Sequence, residues 1–205
     1  MIARRSDENV VRLRAYVDPS RVPSLVMIDL QQEYVSAPRL FAVPNAEQAL
    51  ENCLLALTHA RAVGMPIAFT RLVRQAPFFN RATRFSHWID GLNPSPSDMV
   101  FERDRPSCYA SERFAEMMEL AGGGSLVIAG FAGETACLAT AIDAYHRGHR
   151  VTFLSDASAS HGLDDIEAPE MHRSVTALIG LYANVVTTKN WIAELTAVDA
   201  MREGG

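Results

Sequence analysis

The chain has 205 residues, 48% of them apolar and 21% charged, with a net charge of −5. This is the size and composition of one globular domain, and the negative balance argues against a general nucleic-acid role. No apolar run reaches the roughly 18 residues that crossing a bilayer needs. The three cysteines (Cys53, Cys108, Cys137) do not make a disulfide framework and no signal peptide is read at the start, so the expectation is a cytoplasmic protein with no membrane partner.

Residues 1–22 are polar, end around Pro19 and Pro23, and read as an arm on the surface or on a neighbouring subunit. Residues 23–205 read as the domain proper. Short apolar runs rich in β-formers fall at 24–29, 66–70, 98–102, 125–129, 150–154 and 184–188. Helical patterns separate them. The first, Ala46 to Val63, stops at Gly64 and Pro66. A second runs from Ser111, a serine suited to an N-cap, to Leu120, with glycines after it. A third covers Thr135 to Arg147 and stops at Gly148. A fourth, Pro169 to Tyr182, opens with proline in its first turn. Repeated β–α units imply a parallel sheet with helices on both faces, an α/β three-layer α-β-α architecture. Ligands in such sheets sit beyond the carboxyl ends of the strands. That rule gathers Asp29, the segment after Val100 and the loop 130–137 around one crevice.

From Thr70 to Pro96 the periodicity breaks. Arg71, Arg74, Arg81 and Arg84 alternate with Phe78, Phe79, Phe85 and Trp88. Two readings stand: a solvated loop with aromatic anchors, or a wall that offers guanidiniums to an anionic substrate or to another subunit.

Several segments resemble the isochorismatase-like hydrolase superfamily, whose cysteine-hydrolase branch includes nicotinamidases and N-carbamoylsarcosine amidase. Ile28-Asp29-Leu30-Gln31-Gln32-Glu33-Tyr34-Val35 is similar to the family's I-D-M-Q-N-D-F-V. Val100 to Ser107 resembles V-x-x-K-x-R-Y-S, and Gly130 through Ala144 resembles G-x-x-T-x-x-C-V-x-x-T-A-x-D-A. The resemblance covers roughly residues 22 to 192. It implies a Rossmann-like six-stranded parallel sheet, a homodimer or homotetramer, no cofactor, and a site built from an aspartate, a lysine and a cysteine. In that branch the thiolate attacks an amide carbon.

This sequence departs from two of the three positions. Asp29 is present. Arg103 stands at the lysine position; arginine holds an anion but does not shuttle protons. Lys189, the only lysine, lies in another segment. Six residues after Gly130 and seven before Asp143 both land on Ala136, so Cys137 is one position late. A one-residue step on a helix turns a side chain by roughly 100°. The isochorismatase branch has the same spacing, G-V-Y-A-H-I-G-C, with glycine at the nucleophile position; its enzymes protonate a vinyl ether and add water. Glu134 replaces the histidine of that motif, and is read either as a helix cap or as a second acid or base. Cys108 reads as packing, and His172 as structural. No metal is expected: Thr70-Arg71-Leu72-Val73-Arg74 puts leucine and arginine where the nicotinamidase branch has a D-x-H pair.

The candidate site residues are therefore Asp29, Arg103 and Cys137, with Gln31, Arg71, Arg74, Glu134 and Ala136 around the substrate. Three functions are expected to compete. The first is a hydrolase using Asp29 for acid–base chemistry on a small anionic substrate. The second is a cysteine amidohydrolase in which a local bulge returns Cys137 to the pocket. The third is a non-catalytic anion-binding or assembly member of the fold.

Overall fold

Alternation along the strands decides the architecture. In β1 (Ser24–Ile28) every residue is buried. Leu25 and Met27 join one apolar cluster, while Val26 and Ile28 join the other. A strand apolar on both sides must lie inside a sheet covered on both faces. The computed structural model describes residues 23–120 and 124–203; the expected arm at 1–22 lies outside the described residues.

The other strands are β2 (Ile67–Leu72), β3 (Met99–Arg103), β4 (Ser125–Gly130), β5 (Arg150–Ser158) and β6 (Asn184–Val186). They form one sheet in the order β3-β2-β1-β4-β5-β6, and every neighbouring pair is parallel. The six-stranded parallel expectation holds. The helices are α1 (Glu47–Ala62), α2 (Glu112–Leu120), α3 (Leu138–His146), α4 (Ala168–Ile179) and α5 (Thr188–Glu203). Cys53, Ala56 and Leu57 of α1 pack with Trp191 and Leu195 of α5 under one face. Phe114 of α2, Ala141 of α3 and Val175 of α4 cover the other. Among the described residues no helix is long and apolar enough to cross a membrane.

Three expectations need correction. The last strand, read to 188, stops at Val186, and α5 follows where no helix was expected. Both the amide and the hydroxyl of Thr188 donate to Asp156 Oδ1, at 2.7 and 2.8 Å, which starts that helix. The strand read as 150–154 runs on to Ser158, past a register shift between Ile128 and Gly130. The third helix begins with a π turn, Gly133–Cys137, before α3 proper.

Strand order reverses direction between β1 and β4, which is where an open parallel sheet leaves a crevice. Gly130 makes the close approach there feasible. Its φ is +121°, and a Cβ would overlap the Ile28 carbonyl. Only glycine tolerates that.

Candidate active site

A cavity of about 170 Å³ opens at this switch point. Asp29, Tyr34, Phe41, Leu72, Arg74, Phe79, Arg103, Pro106, Glu134, Thr135, Ala136 and His161 line it. Asp29, Arg103 and position 136, drawn from three different strand ends, thus face one space.

Asp29 follows the last residue of β1. Its φ is +49°, a left-handed conformation costly for a residue with a Cβ. Its amide donates to the Thr70 carbonyl (2.8 Å) and its carbonyl accepts from Gln31 N (2.7 Å), which fixes the turn. Arg103 ends β3, and the register Leu72↔Arg103 sets it beside the last residue of β2. Arg103 Nη2 donates to Asp29 Oδ2 at 2.7 Å, with both side chains within 1% of full burial. Arg103 Nη1 donates to the Arg105 carbonyl at 2.7 Å. Asp29 Oδ1 and Arg103 Nε have no partner among the described residues.

Burial pushes the Asp29 carboxyl above its ordinary value, and the Arg103 guanidinium only partly offsets this. For Arg103 burial acts most strongly, against the charge, but the Asp29 carboxylate together with Cys108 and Tyr34 outweighs it and the guanidinium stays protonated. The pair is a buried, tunable carboxyl held by a fixed cation.

Gln31 does not face the cavity, contrary to expectation. Its side chain pairs with the backbone of Leu72, donating to the carbonyl and accepting from the amide at 3.0 Å each. It ties the end of β2 to the turn after Asp29. Arg71 is also misplaced by the sequence reading. Successive strand residues point to opposite faces; Leu72 lines the cavity, so Arg71 cannot. Arg71 instead pairs with Glu102, its register partner, and lies over the Trp88 ring. Arg81 joins the same carboxylate. Of the four loop arginines, only Arg74 reaches the cavity; its Nε donates to the Asp104 carbonyl at 3.2 Å.

The π turn presents Glu134, Thr135 and Ala136 to the cavity and turns Cys137 away. The Cys137 thiol is fully buried, 3.5 Å from the Gly130 carbonyl and 3.7 Å from Ser158 Oγ. Burial raises its pKa well above the ordinary thiol value, the opposite of what a nucleophile needs. Cys108 is buried as well, its thiol 3.2 Å from Thr70 Oγ1. His172 bonds Ser160 Oγ and the Ser155 carbonyl.

Glu134 does not cap a helix. Its Oε1 lies 2.7 Å from His161 Nδ1, and its Oε2 accepts from the His161 amide at 3.3 Å. The other ring nitrogen, Nε2, is 2.9 Å from the Phe41 carbonyl. Sequence reasoning missed His161, because nothing in its spacing ties the loop after β5 to the π turn. It also passed over Phe41, and took Tyr34 only as part of a motif and Phe79 only as one of several loop aromatics; all three line the cavity. Among the described residues no cluster of three or more His, Cys, Asp or Glu side chains is placed to hold a metal.

Residues 23–190 match the isochorismatase domain family. A secreted isochorismatase effector of Verticillium dahliae is 25% identical over 169 residues, 81% of this chain and 88% of that one. The isochorismatase of Bacillus subtilis is 27% identical over 160 residues, 72% of this chain; the match spans about half (51%) of the Bacillus protein. The crystal structure of an isochorismatase from Pseudomonas putida KT2440 superposes with a TM-score of 0.77 at 27% identity, covering 84% of this chain and 91% of the other. The match spans every strand of the sheet and every residue of the cavity, and the chain belongs to the isochorismatase family of hydrolases.

Proposed function

We propose that the chain hydrolyses a small carboxylate-bearing substrate by Asp29-centred acid–base chemistry, with water and not a thiol as the nucleophile. One observation carries this reading: the buried Asp29–Arg103 pair shares a cavity with Ala136, while the thiol of Cys137, the next residue in the π turn, points into the core. The space is close to the roughly 150 Å³ that accommodates benzene, which suits one ring or a short chain. Arg74, at the rim, offers the rest of its guanidinium to a carboxylate.

The chemistry suits a vinyl ether. Asp29, raised by burial, gives its proton to the terminal carbon of the double bond. Water adds to the resulting oxocarbenium carbon and returns a proton to the Asp29 carboxylate. The hemiketal then breaks to a ketone and an alcohol. Arg103 holds the carboxylate in place between the two transfers. An amidohydrolase using Cys137 finds no support in the geometry, because the thiol would have to cross the cavity wall. The same reading takes the protein as cytoplasmic, in keeping with three unpaired cysteines. It also takes the protein as an assembly of identical subunits, for which exposed Leu178 and Leu181 supply an apolar face.

The test is turnover of isochorismate and of maleamate by wild type, Asp29→Asn and Cys137→Ala. Removing a general acid costs about 10²–10⁴-fold, so Asp29→Asn should lose at least a hundredfold. Cys137→Ala should stay within about threefold. Loss of turnover in a folded Cys137→Ala protein would overturn the reading, as would full turnover in Asp29→Asn.

A further inference from the structure

Tyr34 ends the short 3-10 turn Gln32–Tyr34 that follows Asp29. Its ring is held on three sides, with centroids 5.2 Å from Phe79, 6.0 Å from Phe131 and 6.1 Å from His161. Its backbone is pinned as well: the amide donates to the Gln31 carbonyl and the carbonyl accepts from Val43. The residue is only 4% exposed, and what it exposes lies in the cavity with Asp29, Arg103 and Ala136. Among the described residues its hydroxyl has no hydrogen-bonded partner, and it is not one of the fully enclosed polar atoms, so it meets the cavity.

A buried phenol normally finds a partner. With none inside the protein, the hydroxyl is left to the cavity and to whatever fills it. Phenylalanine would fill the same space between Phe79 and Phe131, and the family motif that this segment resembles carries phenylalanine here. Burial, followed by the nearby Asp29 carboxylate, pushes the phenol well above its ordinary value against the pull of Arg103. The group is therefore a donor at any working pH.

We propose that the Tyr34 hydroxyl is a substrate-binding donor, which takes an acceptor oxygen of the substrate other than the carboxylate assigned to Arg74. This rests on the small-anion reading of the cavity and narrows it: the substrate carries a second oxygen function, carbonyl or ether, within reach of the carboxylate end. The role is one of specificity. An analogue lacking the acceptor forgoes that one hydrogen bond and gains nothing from the tyrosine.

Two probes separate the cases: maleamate and isocrotonate, cis four-carbon monoanions with and without an amide carbonyl. Their affinities for wild type and Tyr34→Phe are measured by calorimetry, or as KM where turnover occurs. Both should bind wild type. Tyr34→Phe should weaken maleamate by about tenfold, as expected for one neutral hydrogen bond, and leave isocrotonate unchanged. The ligand-free melting point of Tyr34→Phe should equal or exceed that of wild type. Equal maleamate affinity in both proteins would overturn the role of Tyr34 alone, and so would a melting point several degrees lower, which marks a structural hydroxyl. If neither acid binds wild type, the small-anion reading fails and this proposal fails with it.

Discussion

Replacing Arg103 with methionine is the sharpest probe of how the candidate site is held. The change keeps an unbranched chain of similar reach and removes the guanidinium that donates to Asp29 Oδ2 at 2.7 Å. Both side chains are within 1% of full burial, so solvent screening does not soften the loss. Stranding one member of such a pair costs about 3–5 kcal/mol. Asp29 has an escape, because burial already favours its neutral form and it can take up a proton. We therefore expect about 3 kcal/mol at neutral pH, the lower end of that range. The escape also sets a pH dependence. Without Arg103 the folded-state pKa of Asp29 rises further above its ordinary 3.8. A folded state that binds the extra proton is favoured at low pH, and that advantage is lost as pH rises through the raised pKa. Arg103→Met should therefore be less impaired at about pH 5 than at about pH 8. Adding Asp29→Asn to it should restore about half the loss, since removing both charges is far milder than removing one. Urea unfolding followed by tryptophan fluorescence reads all four proteins of the cycle. A loss below about 1 kcal/mol that is equal at both pH values would mean that the pair is not buried as described.

Two further predictions concern the cavity walls. In the native protein Cys53, Cys108 and Cys137 are all fully buried, and burial raises each thiol; iodoacetamide should leave all three unmodified, whereas Ala136→Cys should take up one equivalent, read by intact mass. Labelling of wild-type Cys137 as fast as that variant would refute the wall position assigned to residue 136. His161 should report on pH. Its ring opposes burial, which favours neutrality, with the Glu134 carboxylate and the Phe41 carbonyl, and its pKa ends above the ordinary 6.5. Its contribution to stability is then fully present below about 6.5 and lost as pH rises through the raised value. The wild-type urea midpoint should fall across that window and the fall should vanish in His161→Gln; an identical fall in the variant would place the titrating group elsewhere.

The sheet was legible because its apolar runs are bounded by strong punctuation, such as Gly64 with Pro66 and Gly148. Local chemistry misled the reading where it conflicted with tertiary contacts. Val185 to Thr188 is β-branched throughout and reads as strand, but Asp156 claims both donors of Thr188 and turns the chain into a helix. Within the site, the residues given by strand ends were legible, because the carboxyl-end rule needs only strand positions. Gln31 and Arg71 were misjudged for want of orientation. Arg71 was recoverable: alternation sets Arg71 with Glu102 on one face and Leu72 with Arg103 on the other. His161 was not, because its pairing with Glu134 depends on how two loops meet.

The one-residue offset at position 136 is where sequence and structure bear most directly on mechanism. A cysteine-based reading of this chain requires a bulge that rotates Cys137 into the cavity. A bulge is present: the π turn places the Cys137 amide on the Ala132 carbonyl at 3.2 Å, five residues back. Even with that extra residue in the turn, Ala136 lines the cavity and the thiol lies against the Gly130 carbonyl and Ser158 Oγ, in the same buried cluster as Val26, Ile28 and Phe153. Bringing the sulfur round would leave a void in a close-packed core and drive Ala136 out of the wall. Rotating a side chain cannot achieve this; the whole turn would have to re-register at Gly133, whose amide is tied to the Ala159 carbonyl at 2.9 Å. The local packing thus supports the proposed reading, in which a carboxyl and water perform the chemistry.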